Sequence, residues 1–171
     1  LSNVRAGASA DRKPSLAVLS PYNRQVRALS DAIEAASGTG LQHLQAFERS
    51  GSGTGFCGSV DSFQGSEADL VIVSLVRNND HVLRQALGFV ADPRRMNVLL
   101  SRSMHQLILV TSFDFLEVQA RAFDGLQNAT GNAHYLPKLI AKLKILTSEL
   151  LPDGTPAASI VTWRDYRGAV S

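Results

Sequence analysis

The sequence has few of the residues that cross-link a chain or bind metals. Cys57 is its one cysteine among 171 residues, so no disulfide framework and no cysteine pair for a zinc site can form within it. The four histidines are scattered, and none lies at metal-ligand spacing from another. No apolar run approaches the roughly 20 residues that span a bilayer, and no leader-like segment opens the chain. We therefore expect a soluble, intracellular (cytoplasmic) protein without membrane contacts.

Two common catalytic signatures are also missing. No G-x-x-x-x-G-K-[ST] string occurs, and the nearest one, GTGFCGS at 53–59, has no lysine to hold nucleotide phosphates. No G-x-S-x-G elbow occurs either, and Cys57 stands beside an apolar run, where a buried thiol is more common than a nucleophile. The chain by itself therefore carries no complete centre of either kind.

Charge is nearly balanced, but the basic residues are mostly of one type. The net charge is only +2, which does not by itself indicate a nucleic-acid binder. Thirteen of the 17 basic residues are arginine, whose guanidinium group suits forked contacts with phosphate. Five arginines lie between 77 and 102, against two aspartates. Charge alone favours a mildly basic, solvated surface.

The hydrophobic pattern predicts an α/β fold. Continuous apolar runs at 16–20, 70–76 and 106–112 are typical of strands buried on both faces of a parallel sheet. Apolar residues spaced three and four apart from Val26 to Ala36 predict a helix between the first two runs. Asp92-Pro93 opens a second helix, expected to continue to about His105. Strands alternating with helices imply right-handed crossovers and a three-layer parallel sheet.

The remaining segments are predicted with less detail. Residues 1–14 are expected to be a linker or N-terminal arm, 15–150 the main domain and 151–171 a C-terminal extension. Residues 41–49 are compatible with a short helix or a strand, and 56–60 with a strand. Helices are expected over 113–123 and 136–149, and an edge strand over 159–163.

Three polar segments are expected at the ends of strands. They are PYNRQ at 21–25, DSFQGSE at 61–67 and DPRR at 92–95. Ligands of open parallel sheets bind at the carboxyl ends of the strands, so we expect these segments to gather there. Arg95 and Arg102 are seven residues apart, about two turns, and on one continuous helix they would share a solvent-facing side able to hold a polyanion. Structural or solvated arginines and an ordinary glycine turn at Gly65 are the alternatives.

Taken together, these segments resemble a known family. SPYNRQV (20–26), VDSFQGSEADLVIVSLVRNN (60–79) and LGFVADPRRMNVLLSRS (87–103) resemble helicase motifs IV, V and VI of superfamily 1, in its 5′-to-3′ branch. The resemblance covers about residues 15–115 and keeps the order and spacing of the motifs. It implies a RecA-like fold and the second motor domain only, since the first domain carries the Walker lysine and the metal-binding acid.

The resemblance also implies roles for individual residues. Arg102 corresponds to the arginine finger that meets the γ-phosphate of ATP, and Arg95 would support it or pair with an acid. Gln64, Gly65 and Glu67 match the motif V turn that touches nucleotide and nucleic-acid backbone, with Glu67 accepting from the ribose hydroxyls. The other implied contacts are Tyr22 and Gln25 near the nucleotide, and Asp61, Ser62 and Arg77 on the nucleic acid.

Two departures from the family pattern are visible. Many relatives have arginine directly after the motif IV glutamine, where this chain has Val26 followed by Arg27. The usual T-R-A of motif VI is Ser101-Arg102-Ser103 here, which keeps the arginine.

The resemblance favours the second motor domain of an ATP-dependent helicase, working with Mg²⁺, single-stranded DNA or RNA and a first RecA-like domain. The alternative is a RecA-like module that binds nucleic acid or protein without motor activity. A Walker A domain directly upstream of Leu1 would decide between them.

Overall fold

The computed structural model describes residues 12–36, 40–51, 55–75, 87–124 and 135–161. These residues form two compact units, one ending at Phe113 and one beginning at Asp114. The first unit contains a parallel sheet and the second contains helices. The domain boundaries expected from the sequence stay a prediction.

In the described part of the first unit, the sheet has five strands, all parallel. They are β1 (Ser15–Ser20), β2 (Glu48–Arg49), β3 (Cys57–Ser59), β4 (Ala68–Ser74) and β5 (Ser103–Val110). Spatially, β1 lies between β4 and the two short strands β2 and β3, and β5 pairs with the other side of β4. The predicted strands at 16–20, 70–76 and 106–112 are thereby confirmed, with boundaries shifted by up to three residues.

Among the described residues, four helical elements lie between these strands. Helix α1 spans Asn23–Ala36, a 3₁₀ helix spans Gln42–Ala46, and another 3₁₀ helix, Gly88–Ala91, precedes α2 (Pro93–Leu100). The ambiguous segment 41–49 therefore divides into a 3₁₀ turn followed by strand β2. Asp92 caps α2 because its carboxylate accepts from the main-chain N–H groups of Arg94 and Arg95, and Pro93 occupies the tolerated first turn.

The two faces of the sheet carry separate apolar layers. One face buries Leu16, Val18 and Leu70, and the α1 residues Leu29 and Ile33 pack against this cluster. The alternate residues Ala17, Leu19, Val71 and Val73 are also buried. From β1 the chain crosses through α1 toward β3, and from β4 it crosses through α2 to β5, which is the opposite direction across the sheet. Because such crossovers are right-handed, α1 and α2 lie on opposite faces of the sheet. The predicted three-layer α/β fold of RecA type is confirmed.

The second unit contains α4 (Tyr135–Leu146) and all but the first residue of α3 (Phe113–Asp124). Glu117 joins the two helices because it pairs with Lys144 of α4 as well as with Arg121 of its own helix. Beyond α4, an antiparallel bridge joins Leu150 to Pro156. The strand expected over 159–163 is not formed at 159–161, and its last two residues lie outside the described part of the chain.

Candidate functional site

The polar loop between β3 and β4 folds into a turn that is anchored by two buried apolar side chains and two hydrogen bonds. Val60 and Phe63 are buried. The hydroxyl group of Ser62 donates to the carbonyl of Ser59 (2.9 Å), and the main-chain N–H of Ser62 donates to Ser59 Oγ (3.0 Å). The loop leaves the carboxyl edge of the sheet at Ser59 and reaches the amino edge at Ala68.

The candidate ligand-binding residues of this loop all point toward solvent. Asp61, Ser62, Gln64, Gly65 and Glu67 are exposed. Gly65 has φ = +84°, a left-handed conformation that L side chains rarely adopt, and no other atom lies where a Cβ would be placed. Glycine is therefore needed at this position for the backbone path of the turn rather than for space.

Arg102 lies beside the end of this turn. Its Nη1 atom donates to the carbonyl of Ser66 (3.2 Å), its Nε atom to the carbonyl of Val98 (2.8 Å), and its Nη2 atom to Ser101 Oγ (3.1 Å). The main-chain carbonyl of Arg102 accepts from the N–H of Ala68 (3.1 Å). The structure thus brings together four residues, Ser66, Glu67, Ser101 and Arg102, which we name the Arg102 cluster.

The expected extent of the second helix is wrong. Helix α2 ends at Leu100, and Arg102 lies in the turn before β5 rather than on a helix that continues to His105. The main-chain N–H of Ser101 still bonds to Asn97, but from Ser103 onward the backbone pairs with β4 instead. Long-range strand pairing therefore overrides the local helical pattern.

Two consequences follow for the arginines. Arg95 and Arg102 do not share a helix face, because only Arg95 is on the helix. Arg102 is also not the solvent-facing residue that the sequence suggested, since it is half-buried and its guanidinium group is bonded to three acceptors.

The motif IV residues lie at the opposite edge of the sheet. The carbonyl of Tyr22 accepts from the N–H groups of Gln25 and Val26 at the start of α1, and its hydroxyl accepts from the N–H of Phe89 (3.4 Å). The guanidinium carbon of Arg95 lies 5.5 Å from the centroid of the Phe89 ring.

Arg95 also pairs with an acid, as one of its expected roles requires. Its Nε atom lies 3.9 Å from Asp92 Oδ2, an exposed pair on the first turn of α2. We name Tyr22, Phe89, Asp92 and Arg95 the Phe89 cluster.

The expectation that all three polar segments gather at the carboxyl edge is therefore wrong. The Phe89 cluster follows the carboxyl end of β1, whereas the Arg102 cluster lies at the amino ends of β4 and β5. Of the three polar segments, the one at 61–67 extends from the carboxyl edge toward the amino edge. Arg77, expected on the nucleic acid, lies outside the described residues.

Sequence reasoning missed Asp69, the most deeply buried charged residue among those that the structure describes in the first unit. It is 0% exposed, and its carboxylate accepts from Arg12 Nη1 (2.8 Å), Arg12 Nη2 (2.9 Å), the N–H of Ser15 (2.7 Å) and Ser15 Oγ (2.8 Å). These hydrogen bonds, that of Arg12 foremost, hold the pKa of Asp69 well below its usual range. The available signal was a lone aspartate inside the apolar run ADLVIV.

Cys57 behaves as the sequence suggested. It lies in β3, it is partly buried, and burial raises the pKa of its thiol. A raised pKa keeps the thiol protonated, which suits packing better than nucleophilic attack.

The donor set at the Arg102 cluster fits a nucleotide. A guanidinium group supplies forked donors for phosphate oxygens, and the neighbouring Glu67 carboxylate can accept from hydroxyl groups. Among the described residues, no group of three or more His, Cys, Asp or Glu side chains is arranged to hold a metal ion. Within the same residues, every helix is too short or too polar to cross a membrane.

The parallel sheet and its helices define an α/β domain of RecA type. A family model described as an AAA domain matches residues 4–114, and the chain belongs to this family. With its similarity to regulators of nonsense transcripts, this makes the matched region a superfamily 1 helicase domain.

Three relatives illustrate the similarity. Regulator of nonsense transcripts 1 of Dictyostelium discoideum is 35% identical over 95 residues, which are 56% of this chain and 6% of that protein. DNA polymerase alpha-associated DNA helicase A of Saccharomyces cerevisiae is 36% identical over 103 residues, 60% of this chain and 13% of that protein. The ATP-dependent helicase upf1 of Schizosaccharomyces pombe is 50% identical over 52 residues, 30% of this chain and 5% of that protein. The chain therefore spans only a small part of each relative.

Proposed function

We propose that this chain is the second motor domain of an ATP-dependent superfamily 1 helicase. It supplies the arginine finger and part of the channel for single-stranded DNA or RNA, and it works with a first RecA-like domain in the cytoplasm. The observation that carries the proposal is the hydrogen bond of Arg102 to Ser66, which sets a guanidinium group beside the Gly65–Glu67 turn. Helicases among the relatives support it.

Arg102 acts on the γ-phosphate of ATP in this proposal. Phosphoryl transfer spreads negative charge over the γ-phosphate oxygens, and a guanidinium group supplied across a cleft stabilises that charge. The bonds to Val98 and Ser101 fix the arginine side chain before the reaction, so little reorganisation is needed when charge develops.

The neighbouring turn orients the nucleotide. Glu67 accepts hydrogen bonds from the ribose hydroxyls, and Gln64 and Gly65 lie next to it on the exposed side of the turn. When bound, Mg²⁺ would supply charge neutralisation at the phosphates. Its ligands belong to the first RecA-like domain in this proposal, as does the lysine of the phosphate-binding loop.

Nucleic acid contacts the other end of the same loop. Asp61 and Ser62 are exposed just after the carboxyl end of β3, at the edge of the sheet where Tyr22 precedes α1. Arg77 is assigned to the same surface from the sequence. One loop would then touch nucleotide with Glu67 and nucleic acid with Ser62, which gives the two ligands a physical connection five residues long.

The decisive experiment compares Arg102→Ala, Arg102→Lys and Arg94→Ala in the complete protein. Arg94 is the matched control because it is an exposed arginine at the other end of α2. We expect Arg102→Ala to weaken ATP binding only modestly and to lower kcat at least about a hundredfold, within the range for an arginine finger. Arg102→Lys should rescue little, because a point charge cannot make the forked contact.

The competing function is a RecA-like module that binds nucleic acid or protein without motor activity. A complete protein without a Walker A domain upstream of Leu1, and without nucleic-acid-stimulated ATP hydrolysis, would support that function instead. An Arg102→Ala protein that keeps its turnover would also contradict the motor proposal.

A further inference from the structure

A half-buried ion pair, with its carboxylate buried, lies close in sequence to the Arg102 cluster. Asp69 is the second residue of β4, and it is joined to Arg12, which precedes β1, and to Ser15, the first residue of β1. The Nε2 atom of His105 in β5 lies 3.3 Å from Asp69 Oδ1. We name these four residues the Asp69 clamp. It connects the starts of three strands at the amino edge of the sheet.

The register of the sheet is irregular at the clamp. Ala68 pairs with Ser103 and Leu70 pairs with Gln106, so β5 uses one more residue than β4 across this interval. A bulge of this kind bends its strand and re-aims nearby side chains. The bulge lies opposite Asp69 and includes His105, whose imidazole ring faces the Asp69 carboxylate.

The clamp and the Arg102 cluster share backbone contacts. The N–H of Ala68, the residue before Asp69, donates to the carbonyl of Arg102 (3.1 Å). The carbonyl of Ser66, three residues before Asp69, accepts from Arg102 Nη1 (3.2 Å). Glu67 lies between Ser66 and Ala68 in the sequence, and its carbonyl accepts a hydrogen bond from Ser50 Oγ. Any shift of β4 at Asp69 therefore moves both Glu67 and the acceptor of Arg102.

We propose that the Asp69 clamp positions Arg102 and Glu67 for ATP hydrolysis, with Arg12 as a positioning residue in the segment that enters the domain. This inference rests on the proposed function. Removing the Arg12 guanidinium group leaves the buried Asp69 carboxylate with fewer hydrogen-bond donors. The start of β4 then loses contacts that fix its position. Arg102 keeps its chemistry but is misplaced relative to the reacting phosphate.

The test uses Arg12→Ala and Arg12→Lys in the complete protein. The Arg12 side chain is 45% exposed, so its loss leaves no cavity in the core. We expect kcat for ATP to fall about ten- to hundredfold, as misplacement of a reacting group does, while KM changes little. Arg12→Lys should recover part of kcat because it keeps the charge and one donor.

The matched control is Arg121→Ala, which removes an exposed ion pair with Glu117 in the second unit. It should leave kcat unchanged. Arg12→Ala combined with Arg102→Ala separates positioning from a general loss of stability. If the clamp acts through Arg102, the double variant is no slower than Arg102→Ala alone.

Three outcomes overturn the inference. Unchanged kcat in Arg12→Ala, beside a large loss in Arg102→Ala, rejects the clamp and leaves the proposed function standing. Losses of kcat that multiply in the double variant assign Arg12 a purely structural role. Full turnover in Arg102→Ala rejects the proposed function, and the positioning role falls with it.

Discussion

The Nη1 atom of Arg102 lies 3.2 Å from the carbonyl oxygen of Ser66, 36 residues earlier in the chain. This bond connects the turn before β5 to the loop before β4. Arg102 therefore contributes to the stability of the domain in addition to its proposed role in ATP hydrolysis. Its removal should therefore have two separable effects, one on stability and one on hydrolysis.

The first prediction concerns stability. Arg102→Ala in the 171-residue chain should lower the free energy of unfolding by about 1–2 kcal/mol, because the carbonyl groups of Ser66 and Val98 lose a partly buried donor. Arg95→Ala should cost at most about 0.5 kcal/mol, since Arg95 is exposed and its ion pair is long. Urea denaturation of both variants measures the difference. Equal effects would show that the Ser66 bond contributes nothing.

A second prediction concerns the glycine turn. Gly65→Ala and Gly154→Ala should each destabilise the chain by about 1 kcal/mol, because both glycines have φ near +80° and open space at Cβ. In the complete protein, ATP hydrolysis should fall only in the Gly65 variant, because only that turn holds Gln64 and Glu67. Equal activity of the two variants would remove this turn from the site.

The third prediction is a pH dependence. The pKa of Asp69 is lowered in the folded chain, chiefly by its hydrogen bonds with Arg12, so its contribution to stability is fully present above its unfolded pKa of about 4. That contribution is lost as pH falls through this value toward the lower folded pKa. A salt-bridged aspartate typically contributes about 2–3 kcal/mol at pH 7.

Arg12→Ala provides the comparison for this pH effect. It should reduce the stability lost between about pH 5 and pH 2, because the pKa of Asp69 would rise toward its unfolded value. Chemical denaturation at a series of pH values measures both slopes. Parallel curves for the two proteins would mean that another carboxylate controls acid unfolding.

The fourth prediction is that the 171-residue chain does not hydrolyse ATP measurably. The sequence has no glycine-rich loop with a lysine to hold the phosphates, and Arg102 alone cannot orient them. A phosphate-release assay with the purified chain checks this. Turnover that disappears in Arg102→Ala would instead reveal a complete site within the chain.

The fifth prediction concerns single-stranded nucleic acid. Half of a binding channel neutralises few phosphates. The chain should therefore bind a labelled oligonucleotide with Kd of roughly 10⁻⁴–10⁻⁶ M, and binding should weaken further as the salt concentration rises. The surfaces expected to bind are the loop 61–67 and the arginine-containing segment 77–84. Tight binding that ignores salt would indicate a different ligand. Anisotropy titrations at several salt concentrations give the affinity and its slope.

Local pattern predicted most of the elements. The apolar runs of β1 and β4 form strands because they can be buried on both faces, and the spacing from Val26 to Ala36 forms the predicted helix. Asp92 and Pro93 begin α2 because capping and a fixed φ act within one turn of the chain. These signals involve residues that are neighbours in the sequence, so they can be recognised without the tertiary structure.

The end of α2 could not be predicted in the same way. The segment from Ser101 to His105 is compatible with a helix until Ser103 pairs with Ala68, which is 35 residues away. The position of Arg102 depends on that pairing, and so does its bond to Ser66. Strand register is a long-range property, and a single-residue change in it redirects every side chain that follows.

The sequence by itself determined the α/β class, the strands, and the motifs that resemble a superfamily 1 helicase. The tertiary structure alone decided which residues meet: Ser66 with Arg102 at the amino edge, Tyr22 with the main chain of Phe89 at the carboxyl edge, and Asp69 with Arg12 at the start of β4. The reason is that hydrophobic periodicity depends on residues that are neighbours in the sequence. A hydrogen bond between residues far apart in the sequence forms only when the pairing of the strands has brought both residues together.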